Sequence, residues 1–137
     1  MNILELKNCI INGNYNDEFS KLYGDVEFAK ERFLKACDEY VRIYNNTDNM
    51  FMFSAPGRTE VGGNHTDHEH GRVLTGSVNL DVIAIVCPNN DNVVRIKSEG
   101  YNMDEVDLAD LSIKPKEEGK AISLIKAKIF KSFHKDQ

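Results

Sequence analysis

The chain reads SAPGRTEVGGNHTDHEHGR between Ser54 and Arg72, a segment that holds four glycines and shows little helical or strand spacing. Glycine adopts backbone conformations that other residues resist, and it lets a ligand approach the main chain closely. Irregular segments of this length inside compact domains are usually functional. We therefore expect a long functional loop over residues 55–72.

The sequence around this loop predicts a helix before it and strands on both sides. Apolar residues recur every three or four positions over residues 25–44, with Asp25 as the helix N-cap. The apolar run at residues 50–54 predicts a short buried strand. Residues 80–98 predict a hairpin of two strands rich in β-branched residues, joined by a loop that begins at Pro88.

The last part of the chain predicts an amphipathic helix over about residues 117–135. Its apolar stripe consists of Ile122, Ile125, Ile129 and Phe133. Its lysines, Lys126 among them, fall at angles away from this stripe. Packing on a core is favoured over membrane contact, because the polar face is typical of a surface helix.

The sequence has no later element to cover this helix, so we expect residues 1–137 to be an incomplete domain. The expected fold class is α+β, with a mostly antiparallel sheet packed by helices.

Composition excludes several classes of protein. Among 137 residues, 41% are hydrophobic and 28% charged, which excludes collagen-like and disordered chains. The net charge of −5 argues against general nucleic-acid binding, since such a surface repels phosphates on average. No apolar run approaches the roughly 20 residues that a membrane span needs.

The N-terminus and the cysteines indicate the compartment. Charged residues stand where a signal peptide needs an apolar core, so we expect a cytoplasmic protein. Cys9, Cys37 and Cys87 are far apart and form no CxxC pair, which favours neither a disulfide framework nor a zinc knuckle.

Three interpretations compete for the polar segment that follows Gly63. It is a plain surface loop, a metal site, or a pocket for a sugar or another polyol. Asn64, His65 and Asp67 suit hydroxyl groups, because a carboxylate accepts hydrogen bonds while an amide gives and takes them. Arg58 is a fixed cation suited to phosphate or to stabilising a carboxylate base.

The metal interpretation is the weakest of the three. His65, Asp67, His68 and His70 are good ligand types and echo the His-x-Asp-His string of metallo-β-lactamase-type hydrolases. That string needs a further histidine where Gly63 stands, and His134 is the only other histidine of the sequence. A metal-dependent hydrolase is therefore disfavoured.

The segment PGRTEVGGNHTDH, residues 56–68, also resembles the galactokinase signature P-G-R-x-N-x-I-G-E-H-x-D-Y of the GHMP sugar-kinase superfamily. The resemblance continues through residues 71–74, which match the family's G-x-V-L, so the signature covers residues 54–75. It implies the start of a GHMP kinase N-terminal domain, with the ribosomal S5 domain 2-like fold. It also implies a family enzyme that uses ATP and Mg²⁺ to convert D-galactose to galactose 1-phosphate.

The resemblance implies a role for each matching residue. His65 and Asp67 would hydrogen-bond galactose hydroxyls, with Asp67 recognising the 3- and 4-hydroxyls. Asn64 would face the 6-hydroxyl, and Thr66 completes the substrate-binding set. Arg58 is the candidate catalytic residue, which supports negative charge near the base and the transferred phosphoryl group. Ser98 falls near a family position that contacts the nucleotide.

The chain departs from the family pattern at several positions. Asn64 replaces a glutamate, which keeps an acceptor but removes a charge. Glu60 stands for asparagine, His68 for tyrosine, and residues 75–76 for Pro-Met. These changes indicate a divergent branch and leave the preferred sugar open.

The family's phosphate loop, P-x-x-x-G-L-G-S-S-A, has no counterpart in the chain, and neither does its later catalytic aspartate. Phosphoryl transfer depends on positioning and charge stabilisation by those parts. We therefore expect no turnover by this chain alone and take the missing C-terminal part of the kinase as its natural partner. A non-catalytic galactose sensor, or a pseudokinase remnant, is the rival interpretation.

Overall fold

The computed structural model describes residues 1–46, 49–63 and 71–133 of the chain. Within these ranges the chain forms four α-helices, one short 3-10 helix and four strands. They fall into two compact units, Met1–Pro88 and Asn89–Gln137. The predicted α+β class and the antiparallel pairing are confirmed, although the strands described form two separate two-stranded sheets.

Three helices open the first unit: α1 (Ile3–Ile11), α2 (Asn16–Tyr23) and α3 (Val26–Tyr44). The Asp25 side chain accepts a hydrogen bond of 2.9 Å from the backbone N–H of Phe28, as an N-cap does. The helix predicted over residues 25–44 is therefore confirmed together with its cap.

The core of the first unit lies where these helices pack together. The rings of Phe19 and Phe33 are stacked with centroids 5.0 Å apart. Burial raises the pKa of the Cys37 thiol to about 11, so it behaves as a small apolar side chain at neutral pH. Met52, Ile83 and Ile85 bring the sheet onto this core. The buried members are Ile3, Leu6, Ile10, Phe19, Ala29, Phe33, Cys37 and Met50.

The sheet of the first unit consists of β1 (Phe51–Gly62) and β2 (Leu74–Val86). The predicted strand at residues 50–54 is confirmed, but the expectation of a loop from residue 55 is wrong. The strand continues because its backbone pairs with β2 as far as Gly62, opposite Leu74. Residues 55–62, which were predicted as part of the loop, are therefore strand.

The hairpin predicted over residues 80–98 is also wrong. β2 pairs with β1, whereas β3 (Val93–Lys97) pairs with β4 (Met103–Asp107). β2 pairs with β1 rather than with β3 because Met52 and Ile85 lie opposite each other and share the face that packs on the helices. Two apolar strands adjacent in sequence are therefore not partners here.

The second unit contains β3, β4, a 3-10 helix at Pro115–Glu117 and α4 (Ala121–Phe133). The terminal helix is confirmed over α4 and begins later than predicted. Ile122, Ile125 and Ile129 are half-buried, as expected for the stripe, and the side chain of Phe133 lies outside the described part. Lys126 corrects the prediction: it is 3% exposed, and its ammonium donates to the Glu117 carboxylate at 2.9 Å.

Each helix in the described ranges is too short or too polar to cross a bilayer.

Candidate functional site

The β1–β2 hairpin carries the segment with the functional signature. Residues 54–62 lie in β1, and the chain between Gly63 and Gly71 joins the paired ends of the two strands. The predicted substrate-binding residues, Asn64, His65, Thr66 and Asp67, lie outside the described residues. The structure therefore defines the residues on either side of this segment, up to Gly63 and from Gly71 onward.

Gly63 is required at the end of β1 by its backbone. Its φ is +85°, and a Cβ built there would lie 2.3 Å from the carbonyl oxygen of Arg72. Side chains rarely adopt this φ, and the obstructing atom belongs to the main chain and yields little. Gly62 has open space within 4 Å of the corresponding point. The two adjacent glycines therefore differ in role, which the sequence does not reveal.

Replacing Gly63 with alanine is expected to lower the free energy of unfolding by about 1–3 kcal/mol, through backbone strain and displacement of the Arg72 carbonyl. Gly62→Ala is the matched control and is expected to change it by less than about 0.5 kcal/mol. Urea unfolding followed by circular dichroism measures both. Equal losses in the two variants would contradict the structural distinction.

A β-bulge interrupts the hairpin next to Arg58. Pro56 pairs with Asp81, whereas Arg58 pairs with Ser77, so three residues of β2 stand opposite Gly57 alone. A Cβ at Gly57 would lie 3.1 Å from the carbonyl oxygen of Leu80. A side chain at this point would therefore crowd the Leu80 carbonyl, and the bulge re-aims the strand that carries Arg58.

Arg58 itself is well placed to meet an anion. Its side chain is 70% exposed, and its guanidinium lies 3.9 Å from a carboxylate oxygen of Glu60. An exposed pair of this kind contributes little to stability. The guanidinium can therefore exchange this contact for a ligand phosphate or carboxylate at small cost.

A partly buried polar cluster lies at the base of the same hairpin and was not predicted from the sequence. The Asp81 side chain is 3% exposed, and its Oδ2 accepts hydrogen bonds from the hydroxyls of Ser54 at 2.6 Å and Tyr23 at 2.7 Å. Its Oδ1 accepts from the Arg32 guanidinium at 2.7 Å. The available signal was an aspartate inside the otherwise apolar strand at residues 80–87.

Opposing effects set the charge of this cluster. Burial by itself would raise the pKa of Asp81, but hydrogen bonds from Ser54, Tyr23 and Arg32 hold that pKa below its usual value. Burial also raises the pKa of the Tyr23 phenol, which stays a donor. A cavity of about 330 Å³ adjoins the cluster. Its lining consists of Tyr23, Phe28, Arg32, Asn79, Leu80 and Asp81.

The remaining predicted positions lie elsewhere. Ser98 belongs to the second unit, directly after β3, is exposed, and accepts a backbone hydrogen bond of 3.1 Å from Tyr101. The histidines of the metal interpretation, His65, His68 and His70, fall outside the described residues. In the ranges described, no three potential metal ligands form a group.

The hairpin and the last part of α3 match a known family model. The family model that matches is the galactokinase galactose-binding signature, and it covers residues 38–88, from the middle of α3 to the end of the first unit. The resemblance to the N-terminal part of galactokinases is thereby confirmed.

Individual galactokinases match in part. That of Dictyostelium discoideum is 28% identical over 97 residues, which cover 68% of this chain and 19% of the relative. That of Lactobacillus helveticus is 31% identical over 86 residues, or 59% of this chain and 22% of the relative. The matches thus span about a fifth of the length of these curated relatives. No solved structure matches the chain significantly.

Proposed function

We propose that this chain is the sugar-binding N-terminal part of a galactokinase and that it binds D-galactose at the end of the β1–β2 hairpin. The observation that supports this most is the match of residues 38–88 to the galactose-binding signature. The matched residues include the whole hairpin. Under the proposal, the hairpin serves as the scaffold that holds the polar segment at residues 64–67.

The chemistry of that segment fits a sugar. Asp67 accepts hydrogen bonds from the 3- and 4-hydroxyls, and His65 binds a neighbouring ring hydroxyl. Asn64 binds the 6-hydroxyl, and Thr66 is the fourth residue of the proposed sugar-binding set. Hydrogen bonds to charged groups contribute about 1.5–3 kcal/mol against about 1 for neutral ones, so Asn64 is expected to hold the 6-hydroxyl more weakly than the family's glutamate.

Phosphoryl transfer needs more than the described residues provide. In the proposed parent enzyme, ATP with Mg²⁺ supplies the phosphoryl group, Arg58 lies near the reacting groups, and Ser98 contacts the nucleotide. The described residues contain neither a glycine-rich phosphate loop nor a group of three metal ligands. They therefore lack most of the parts that would hold the nucleotide and its metal, and we propose no turnover by this chain alone. A GHMP-type N-terminal domain and a cytoplasmic location remain part of the proposal.

Calorimetric titration with sugars tests the proposed function. The chain, shown to be folded by circular dichroism, is titrated with galactose and with glucose, its epimer at carbon 4. We expect saturable binding of galactose and at least about tenfold weaker binding of glucose, because the 4-hydroxyl loses its acceptor. A folded chain that binds neither sugar, or both equally, would contradict the proposal.

A further inference from the structure

Asp81 joins the hairpin to the helices through its carboxylate, beside the apolar contacts of Met52, Ile83 and Ile85. Its carboxylate receives hydrogen bonds from three elements: Tyr23 from α2, Arg32 from α3 and Ser54 from β1. The side chain is 3% exposed, so these groups substitute for water around it. The helices and both strands therefore share one anchor.

This anchor lies at the last regular pair before the β-bulge. Asp81 is paired with Pro56, and the next pair along β1 is Arg58 with Ser77. A slip of one residue in strand register turns every following side chain to the other face of the sheet. The bulge makes such a slip accessible, because three residues of β2 already stand opposite Gly57. The hydrogen bonds that hold β2 at Asp81 therefore define the point at which the bulge begins.

From this geometry we propose that Asp81 is a positioning residue for the sugar-binding end of the hairpin. The proposal rests on the proposed function, since the hairpin end is taken as the galactose site. Asp81 touches no sugar in this account. By holding β2 against Ser54 and Tyr23, it fixes where the bulge begins, and with it the register of the pairs Arg58–Ser77 to Glu60–Thr75 and the direction of Arg58.

Two variants remove the anchor to different degrees. Asp81→Asn keeps the shape but removes the charge that pairs with Arg32, and Tyr23→Phe removes a single donor and leaves the carboxylate intact. Asp38→Asn is the matched control. It is an aspartate of the same unit whose side chain is 64% exposed and paired only with Lys7 among the ion pairs described. All three are made in the 137-residue chain.

The readouts are strand register and galactose affinity, measured where each variant is folded by circular dichroism. Nuclear Overhauser effects report register at the proximal pair Phe51–Val86 and at the distal pairs Arg58–Ser77 and Glu60–Thr75. In Asp81→Asn we expect the distal contacts to weaken or shift while the proximal one persists. We expect galactose affinity to fall about five- to tenfold, with a smaller fall in Tyr23→Phe and less than about twofold in the control.

Each outcome decides the proposal. Distal contacts that stay intact in folded Asp81→Asn overturn it, and so does an unchanged galactose affinity in a chain whose distal register is lost. If Asp81→Asn does not fold, Tyr23→Phe gives the answer by the same two readouts. If the unmodified chain binds no galactose, the proposed function fails. The distal register contacts then still decide whether Asp81 sets the hairpin.

Discussion

Asp67→Ala is expected to weaken galactose binding by at least about a hundredfold. Two hydroxyls of the sugar donate to this carboxylate in the proposed site, and each hydrogen bond to a charged group contributes about 1.5–3 kcal/mol. Removing the acceptor also removes the basis for distinguishing galactose from glucose. Titration calorimetry with both sugars measures the two effects together.

The matched control for this variant is Glu69→Ala, an acidic residue two positions further along that the proposed site does not use. We expect its galactose affinity to stay within about twofold of the unmodified chain, because Glu69 contributes no hydrogen bond to the sugar in the proposed site. Comparable losses in both variants would indicate that negative charge in general, and not the Asp67 carboxylate, attracts the ligand. That result would count against the assigned role.

Phe33→Ala is expected to destabilise the first unit by about 3–5 kcal/mol, the usual cost of truncating a buried phenylalanine. Phe33 is 4% exposed, is stacked on Phe19, and lies 6.0 Å from the Tyr23 ring between centroids. The free energy of unfolding of a domain is only about 5–15 kcal/mol, so the substitution removes a large part of it. The hairpin loses its support as a result.

Phe28→Ala separates this effect from a general cost of removing an aromatic ring of α3. Phe28 lies in the same helix but is 57% exposed, with the Arg32 guanidinium 5.7 Å from its ring centre. An exposed contact of this kind contributes about 0.5–1 kcal/mol. Urea unfolding followed by circular dichroism measures both variants. A loss in Phe28→Ala equal to that in Phe33→Ala would show that the aromatic cluster is not the centre of the core.

Local signals in the sequence were enough for α3 and for most of α4, whereas α1 and α2 were not predicted. Asp25 before a run of regularly spaced apolar residues predicted α3 with its cap, because capping and helical periodicity depend on residues a few positions apart. The family signature was equally local, since its glycines and polar residues follow one another within residues 54–75.

The pairing of residues that are far apart in the sequence could not be predicted from such local signals. β1 and β2 were both predicted in part, yet their partnership depends on which apolar faces meet the helices, and the adjacent strand at residues 93–98 had as good a pattern. Lys126 and Asp81 illustrate the same limit. A charged side chain is predicted to be exposed until its partners, here Glu117 and Arg32, are known to be near.

The most direct test of the central claim is a map of amide chemical shifts of the ¹⁵N-labelled chain during galactose titration. We expect saturable shifts centred on the hairpin end, at residues 58–63 and 71–77, with helix α1 and the second unit unchanged. Glucose at the same concentrations should leave these amides almost unmoved. Shifts confined to α1 or to residues 89–133, or no saturable shift in a folded chain, would contradict the claim that the β1–β2 hairpin holds the sugar.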